Sequence, residues 1–181
     1  MSLDFKGEQK LSKFFSLILR HQSEKFGINL DPEGYCTISS LISSVNSQPQ
    51  WGHVDKFDIE QVVKNCSKQR YEINGDLIRA RYGHSSEKIE YEEKIPPSIL
   101  YHGTNSKVSN LILSTGIKPM NRKYVHLSES TEFATLAGQR RGQLVMIRVN
   151  TTKAVNDGVK FYYAGNEVWL SEFIDSKYLE M

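Results

Sequence analysis

Five short stretches gather the side chains best able to do chemistry. Arg20-His21 ends an apolar run. RARYGHS at 79–85 sets Arg79 and Arg81 two apart, ahead of His84. YHGT at 101–104 and YVHLS at 124–128 each join a histidine to a hydroxyl. GQRRG at 138–142 brackets Arg140 and Arg141 with glycines. Guanidinium groups offer two-pronged donors that match phosphate oxygens and keep their charge. Alternate positions on a strand share a face, so Arg79 and Arg81 together could hold one anion, with phosphate the favoured choice. In YHGT an imidazole, a bare backbone and a hydroxyl meet at one place. That combination suits a planar carboxamide, which needs one donor and one acceptor in a fixed arrangement. Singly, each stretch also has an ordinary explanation. Arg20-His21 would end a helix favourably in its own dipole, His84 and His102 would be satisfied turn residues, and Arg140 would be a solvated helix end.

The surrounding pattern says what must position them. QKLSKFFSLILRH (9–21) predicts a helix with Leu11, Phe14, Phe15 and Ile18 as its apolar seam. Lys13 and Arg20, seven residues apart, lie together on roughly the opposite side. GINLDPEGY (27–35) is a turn-rich connector. CTISSLISSVN (36–46) and DKFDIEQVVKNC (55–66) predict two more helices, the second with Asp55 and Asp58 at its start. RYEINGDLIRA predicts a hairpin turning at Asn74-Gly75. Three helices and a hairpin make a winged-helix-like lobe. SSEKIEYEEKIPPS (85–98) is charged, ends in Pro96-Pro97 and reads as the hinge to a second lobe. Strands are expected at 98–104, 124–128 and 144–150, with helices at 107–117, ended by Gly116, and at 131–142. A further hairpin is expected over 159–171.

Composition sets limits. The chain has 181 residues and a net charge of only +2, so any nucleic-acid site must be a local cluster of cations. Cys36 and Cys66 are too few for a disulfide framework and lack zinc spacing, and the five histidines form no metal-ligating pair. No metal is expected. No apolar run reaches the ~20 residues that span a bilayer, and MSLDFKGEQK does not read as a signal peptide. The expectation is a cytoplasmic monomer with no membrane partner.

In series, LSKFFSLILRH, LDPEGY, IRARYGHS, LYHGT, YVHLS, GQRRG and NEVWL resemble the NAD-dependent RNA 2′-phosphotransferase family. That family removes the splice-junction 2′-phosphate from tRNA. The resemblance runs from about residue 11 to about 178. It implies an α+β enzyme with an N-terminal winged-helix-like RNA lobe (1–92) and a β-rich lobe similar to ADP-ribosyltransferases (93–181). The family's essential Arg-His-Arg-Arg set falls on Arg20, His21, Arg79 and Arg140. Its NAD signature falls on His102, His126 and Val168, with Gly103, Thr104 and Ser128 beside them. Lys13, Arg81 and His84 are the expected RNA contacts, and the partner is an RNA carrying a 2′-phosphate, tRNA-like in kind. NAD would be a co-substrate. The family's usual Gln, Trp and Gly stand here as Tyr82, Tyr35 and Glu167, and a glycine at the last position serves a special backbone angle.

The resemblance also implies a chemistry. A 2′-phosphomonoester is already anionic and needs positioning rather than a base. The arginines would bind its oxygens, and His21 would protonate the leaving 2′-oxygen. Two rivals stand beside it. One is ADP-ribosylation of nucleic acid or protein without phosphate removal, with Glu167 as an activating carboxylate. The other is a non-catalytic winged-helix binder, which leaves YHGT and YVHLS unexplained.

Overall fold

The computed structural model describes residues 5–138 and 143–181. It is a mixed α+β structure that divides into two units, Met1–Glu90 and Tyr91–Met181.

The first unit opens with helix α1, Phe5–His21. Leu11, Phe15, Ile18 and Leu19 are fully buried. Phe14, expected in the same seam, sits at its flank against Trp51. Strand β1 is Tyr35–Thr37 and helix α2 is Ile38–Asn46. Cys36 and Thr37, expected in the second helix, therefore fall outside it. They pair with Ile78 and Leu77, and the Thr37 hydroxyl accepts the Ser40 N–H, which starts α2 one residue later. Helix α3, Lys56–Lys64, begins with a reciprocal cap in which Asp55 and Asp58 each accept the other's backbone N–H.

Strands β2 (Tyr71–Asn74) and β3 (Leu77–Ala80) form the hairpin. Asn74 pairs with Leu77, so the two-residue loop is Gly75-Asp76, one position beyond the expected Asn74-Gly75. Gly75 has φ 60°, and glycine at the first loop position with positive φ is what a type II′ turn requires. The sheet order is β1-β3-β2, with α1, α2 and α3 packed over a core that includes Tyr71 and Ile78.

The charged stretch at 85–98 divides at the boundary, and each part is held by its own unit. Ser23 donates to Glu87 at 2.8 Å, Ile89 lies against Gly34, and the Glu90 N–H donates to the Pro32 carbonyl. Beyond the boundary, the Lys94 N–H donates to the Phe161 carbonyl and Glu93 pairs with Lys160 at 2.9 Å.

The second unit is one antiparallel sheet with helices around it. Its strands are β4 (Ile99–Asn105), β5 (Val125–Ser128), β6 (Leu144–Asn150), β7 (Tyr162–Gly165), β8 (Val168–Ser171) and β9 (Leu179–Glu180). They lie in the order β7-β8-β5-β4-β6-β9. The helices are α4 (Ser106–Thr115), α5 (Thr131–Gly138) and α6 (Thr151–Asn156). At six residues, α6 is too short to show a helical period, so the sequence gives no sign of it. Gly116 ends α4 with φ 85° and ψ 174°, a region open essentially to glycine alone. The β7–β8 loop is Asn166-Glu167, with φ 50° and 62°, as a type I′ turn demands. Position 167 does carry the unusual angle, here on a glutamate.

Candidate active site

Arg20 and His21 sit at the C-terminal end of α1, where four backbone carbonyls lack helical partners. The loop after β3 supplies some of the missing donors. The Ser85 N–H donates to the Arg20 carbonyl at 2.9 Å and the Ser86 hydroxyl reaches the same oxygen at 3.4 Å. The loop also orients the two side chains. His21 Nδ1 lies 2.8 Å from Ser85 Oγ while the imidazole is exposed. Arg20 is buried, 8% exposed as a residue, with its Cζ 5.2 Å from the Tyr82 ring centre and 6.0 Å from that of Tyr71. A Cβ at Gly83 would come 3.4 Å from Arg20 Nη1, and Gly83 has φ 94°. Glycine is thus favoured there by its backbone angle, and Arg20 packs directly over it.

Arg79 faces Glu72 across the hairpin. Its Nε and Nη2 donate to Glu72 Oε2 at 2.9 and 2.8 Å, and its Nη1 donates to the Glu33 carbonyl at 3.2 Å. The Tyr35 ring lies 4.5 Å from its Cζ. Three of its five N–H donors are thus engaged and two are left for a ligand. Arg81 reaches the same Glu72 oxygen at 3.5 Å. The anion that Arg79 and Arg81 share within the chain is therefore a carboxylate.

His84 was expected to contact RNA. Its side chain is buried, 4% exposed. Burial first, then the positive charges of Arg20, His21 and Arg79, push its pKa from 6.5 down to about 3. A neutral His84 is thus coupled electrostatically to groups that the sequence separates by up to 59 positions. Lys13 is exposed on α1.

In the second unit, the six residues of the NAD expectation fall on three neighbouring strands. His102, Gly103 and Thr104 are on β4, His126 and Ser128 on β5, and Val168 on β8. Tyr101 pairs with Ser128, and Ser128 with Val168. His102 Nδ1 lies 3.0 Å from the His126 carbonyl, so that nitrogen carries the proton. Burial holds the His102 pKa below its usual value, more than the backbone hydrogen bond raises it, with Arg122 lowering it further. The neutral ring leaves Nε2 as an acceptor. Thr104, Ser128 and Val168 are buried, and Ser128 Oγ accepts the Ser130 N–H at 3.3 Å. Glu167 accepts a hydrogen bond from the Ser130 hydroxyl at 2.5 Å, and Trp169 Nε1 donates to Glu129 at 2.7 Å. Arg140 lies outside the described residues.

Sequence reasoning missed Glu72 and Ser85. Counting back from the observed Gly75-Asp76 loop pairs Glu72 with Arg79, whereas the expected Asn74-Gly75 loop sets it against Leu77, so the one-residue slip hid the pair. Ser85 belongs to a motif already singled out, but nothing local announced its bond to His21. Among the described residues, no three His, Cys, Asp or Glu side chains gather to hold a metal ion, and no helix is long and apolar enough to cross a membrane.

Comparison with known proteins places this arrangement. The family model described as RNA 2′-phosphotransferase, Tpt1 / KptA family matches residues 6–173. A protein of Acetivibrio thermocellus named "Probable RNA 2′-phosphotransferase" is 41% identical over 172 residues, covering 94% of each chain. One of the same name from Bacillus thuringiensis is 40% identical over 171 residues, covering 93% of this chain and 92% of its own. An Archaeoglobus fulgidus protein, "Probable RNA 2′-phosphotransferase 1", is 37% identical over 174 residues, covering 95% and 80%. With the match spanning nearly its whole length, this chain belongs to the RNA 2′-phosphotransferase, Tpt1 / KptA family.

Proposed function

We propose that this chain removes an internal 2′-phosphate from RNA by transferring it to NAD. One observation carries the reading: Ser85 orders the end of α1, its N–H on the Arg20 carbonyl and its hydroxyl 2.8 Å from His21 Nδ1, while Arg79 on β3, just ahead of that loop, keeps two N–H donors beyond its bonds to Glu72 and Glu33. Such donors suit a doubly charged ester. In this reading the first unit acts as a winged-helix-like RNA lobe and the second as an ADP-ribosyltransferase-like lobe.

The residues of the second unit fit NAD as co-substrate. His102 Nε2 is an acceptor suited to a ribose hydroxyl, and Gly103 exposes backbone for a carboxamide. Ser128, paired with Tyr101 beside His102, and Val168, paired with Ser128, are both buried in the same part of the sheet. An oxygen of the RNA 2′-phosphate attacks the ribose carbon that carries nicotinamide. That C–N bond breaks and nicotinamide leaves as a neutral ring. The adjacent ribose hydroxyl then attacks phosphorus. The RNA 2′-oxygen departs with a proton, and ADP-ribose 1″,2″-cyclic phosphate is released. Arg20 and Arg79, with Arg140 assigned by the family pattern, stabilise charge on the phosphoryl oxygens. His21, held through Nδ1 by Ser85, presents Nε2 as the proton donor.

Incubation with NAD and an RNA bearing one internal 2′-phosphate tests this by mass analysis. The expected products are 2′-hydroxyl RNA, nicotinamide and the cyclic phosphate. Glu167, ordered by Ser130 next to Val168, favours a second reading in which ADP-ribosylation is the end point. Lasting ADP-ribosylated RNA without cyclic phosphate would select it.

A further inference from the structure

The α1 helix carries more than its catalytic end. At 3.6 residues per turn, Lys6, Lys10, Lys13, Leu17, Arg20 and His21 share one side of this unbroken helix. Its only carboxylate, Glu8, points the other way, where the Asn65 side-chain amide donates to it at 2.9 Å. Trp51, from the connection between α2 and α3, lies against Phe14 with ring centres 5.6 Å apart and planes at 32°. Together with Lys10, Lys13, Leu17 and Gln50, the two rings line a groove of about 450 Å³. Both lysines are exposed, and neither takes part in an ion pair among the described residues.

We propose that this groove binds the single-stranded RNA that flanks the phosphorylated nucleotide. One base stacks on Trp51, Lys10 and Lys13 hold backbone phosphates, and the strand runs along α1 to Arg20 and His21. The inference rests on RNA being the substrate. Charge selects the occupant: every charged group in the lining is a cation, and the stripe that continues from it is basic to the end of the helix. Aromatic faces flanked by cations are how proteins hold single strands without reading sequence, because every base offers a π-face. Distance agrees as well. Seven residues separate Lys13 from Arg20, about 10 Å along the axis, a span that a short run of extended nucleotides covers.

The test is a fluorescence titration of the full chain with single-stranded hexauridylate carrying no 2′-phosphate. Binding should quench tryptophan emission, and Trp51→Phe should abolish the quench. Lys10→Ala/Lys13→Ala should weaken binding about tenfold and lower the salt slope by roughly 1.4, the share of two phosphate contacts on a single strand. Trp51→Ala should weaken binding to a similar degree. Should that variant fail to fold, the lysine pair still decides, because both side chains are on the surface. A quench that persists in Trp51→Phe, an affinity untouched by loss of both lysines, or a signal that follows protein concentration instead of RNA would overturn the groove. The last result would mean that a second copy of the chain sits there. Failure to release 2′-hydroxyl RNA in the NAD assay, with the Trp51 quench intact, would count against the proposed reaction and leave the groove standing.

Discussion

Glu72 and Arg79 face each other across a two-residue turn, and the carboxylate takes both the Nε and an Nη donor of the arginine. The pair fixes the plane of the guanidinium. It also covers one edge of it, so a ligand must approach the other. Glu72→Ala should leave a folded chain, since a cross-strand pair that still touches solvent contributes only about 0.2–1 kcal/mol. Turnover of 2′-phosphorylated RNA should fall by roughly 10- to 100-fold through misplacement of Arg79. Steady-state kinetics with urea unfolding on the same protein separates the two effects.

His21 depends on Ser85 in a similar way. Removing the hydroxyl with Ser85→Ala frees the ring to rotate and should lower kcat by about tenfold, with little change in the KM for NAD. His21→Ala should lower kcat by roughly 10²- to 10⁴-fold. In the reaction proposed above the proton is needed only in the second step, so ADP-ribosylated RNA should then accumulate. Single-turnover product analysis reads this directly.

His84 makes stability depend on pH with a definite sign. Its folded pKa is about 3, against 6.5 when unfolded. Between those values the unfolded chain binds the extra proton. The contribution is therefore complete above pH 6.5 and is lost as pH falls towards 3. From pH 7 to pH 5 the unfolding free energy should drop by about 2 kcal/mol on this account. His84→Gln should flatten that slope, as measured by denaturant unfolding across the range.

Two turns in the second unit invite opposite substitutions. A Cβ at Gly116 would collide with the Ile174 carbonyl oxygen and the Phe173 ring, at a φ that only glycine accepts readily. Gly116→Ala should cost about 1–3 kcal/mol. Glu167→Gly should relax a left-handed residue and stabilise by up to ~1 kcal/mol, less whatever the Ser130 hydrogen bond contributes. Thermal melts of the two variants should move in opposite directions.

The local elements were largely legible. The seam of α1, the hairpin and the β4, β5 and β6 strands follow from periodicity and turn chemistry acting over a few residues. The site was legible only as residue types. Nothing near Arg20 says that Tyr71 and Tyr82 will enclose it. Nothing near His84 says that it is buried, since a histidine in a turn motif reads the same wet or dry. Trp51 meeting Phe14 is a long-range event of packing. The start of α2 was misjudged because Cys36 and Thr37 continue an apolar pattern while their backbone is claimed by β3.

Tyr71 joins these observations. Its ring meets Phe15 in the core at 5.9 Å and lies beneath Arg20. Its hydroxyl bonds to Ser16 and to the Ser12 carbonyl, and its own carbonyl accepts from Arg81. One phenol thus serves as keystone to the lobe and as bedplate to its chemistry. Warming that loosens the lobe around this residue will silence the protein before it unravels, so heat-sensitive alleles should cluster here.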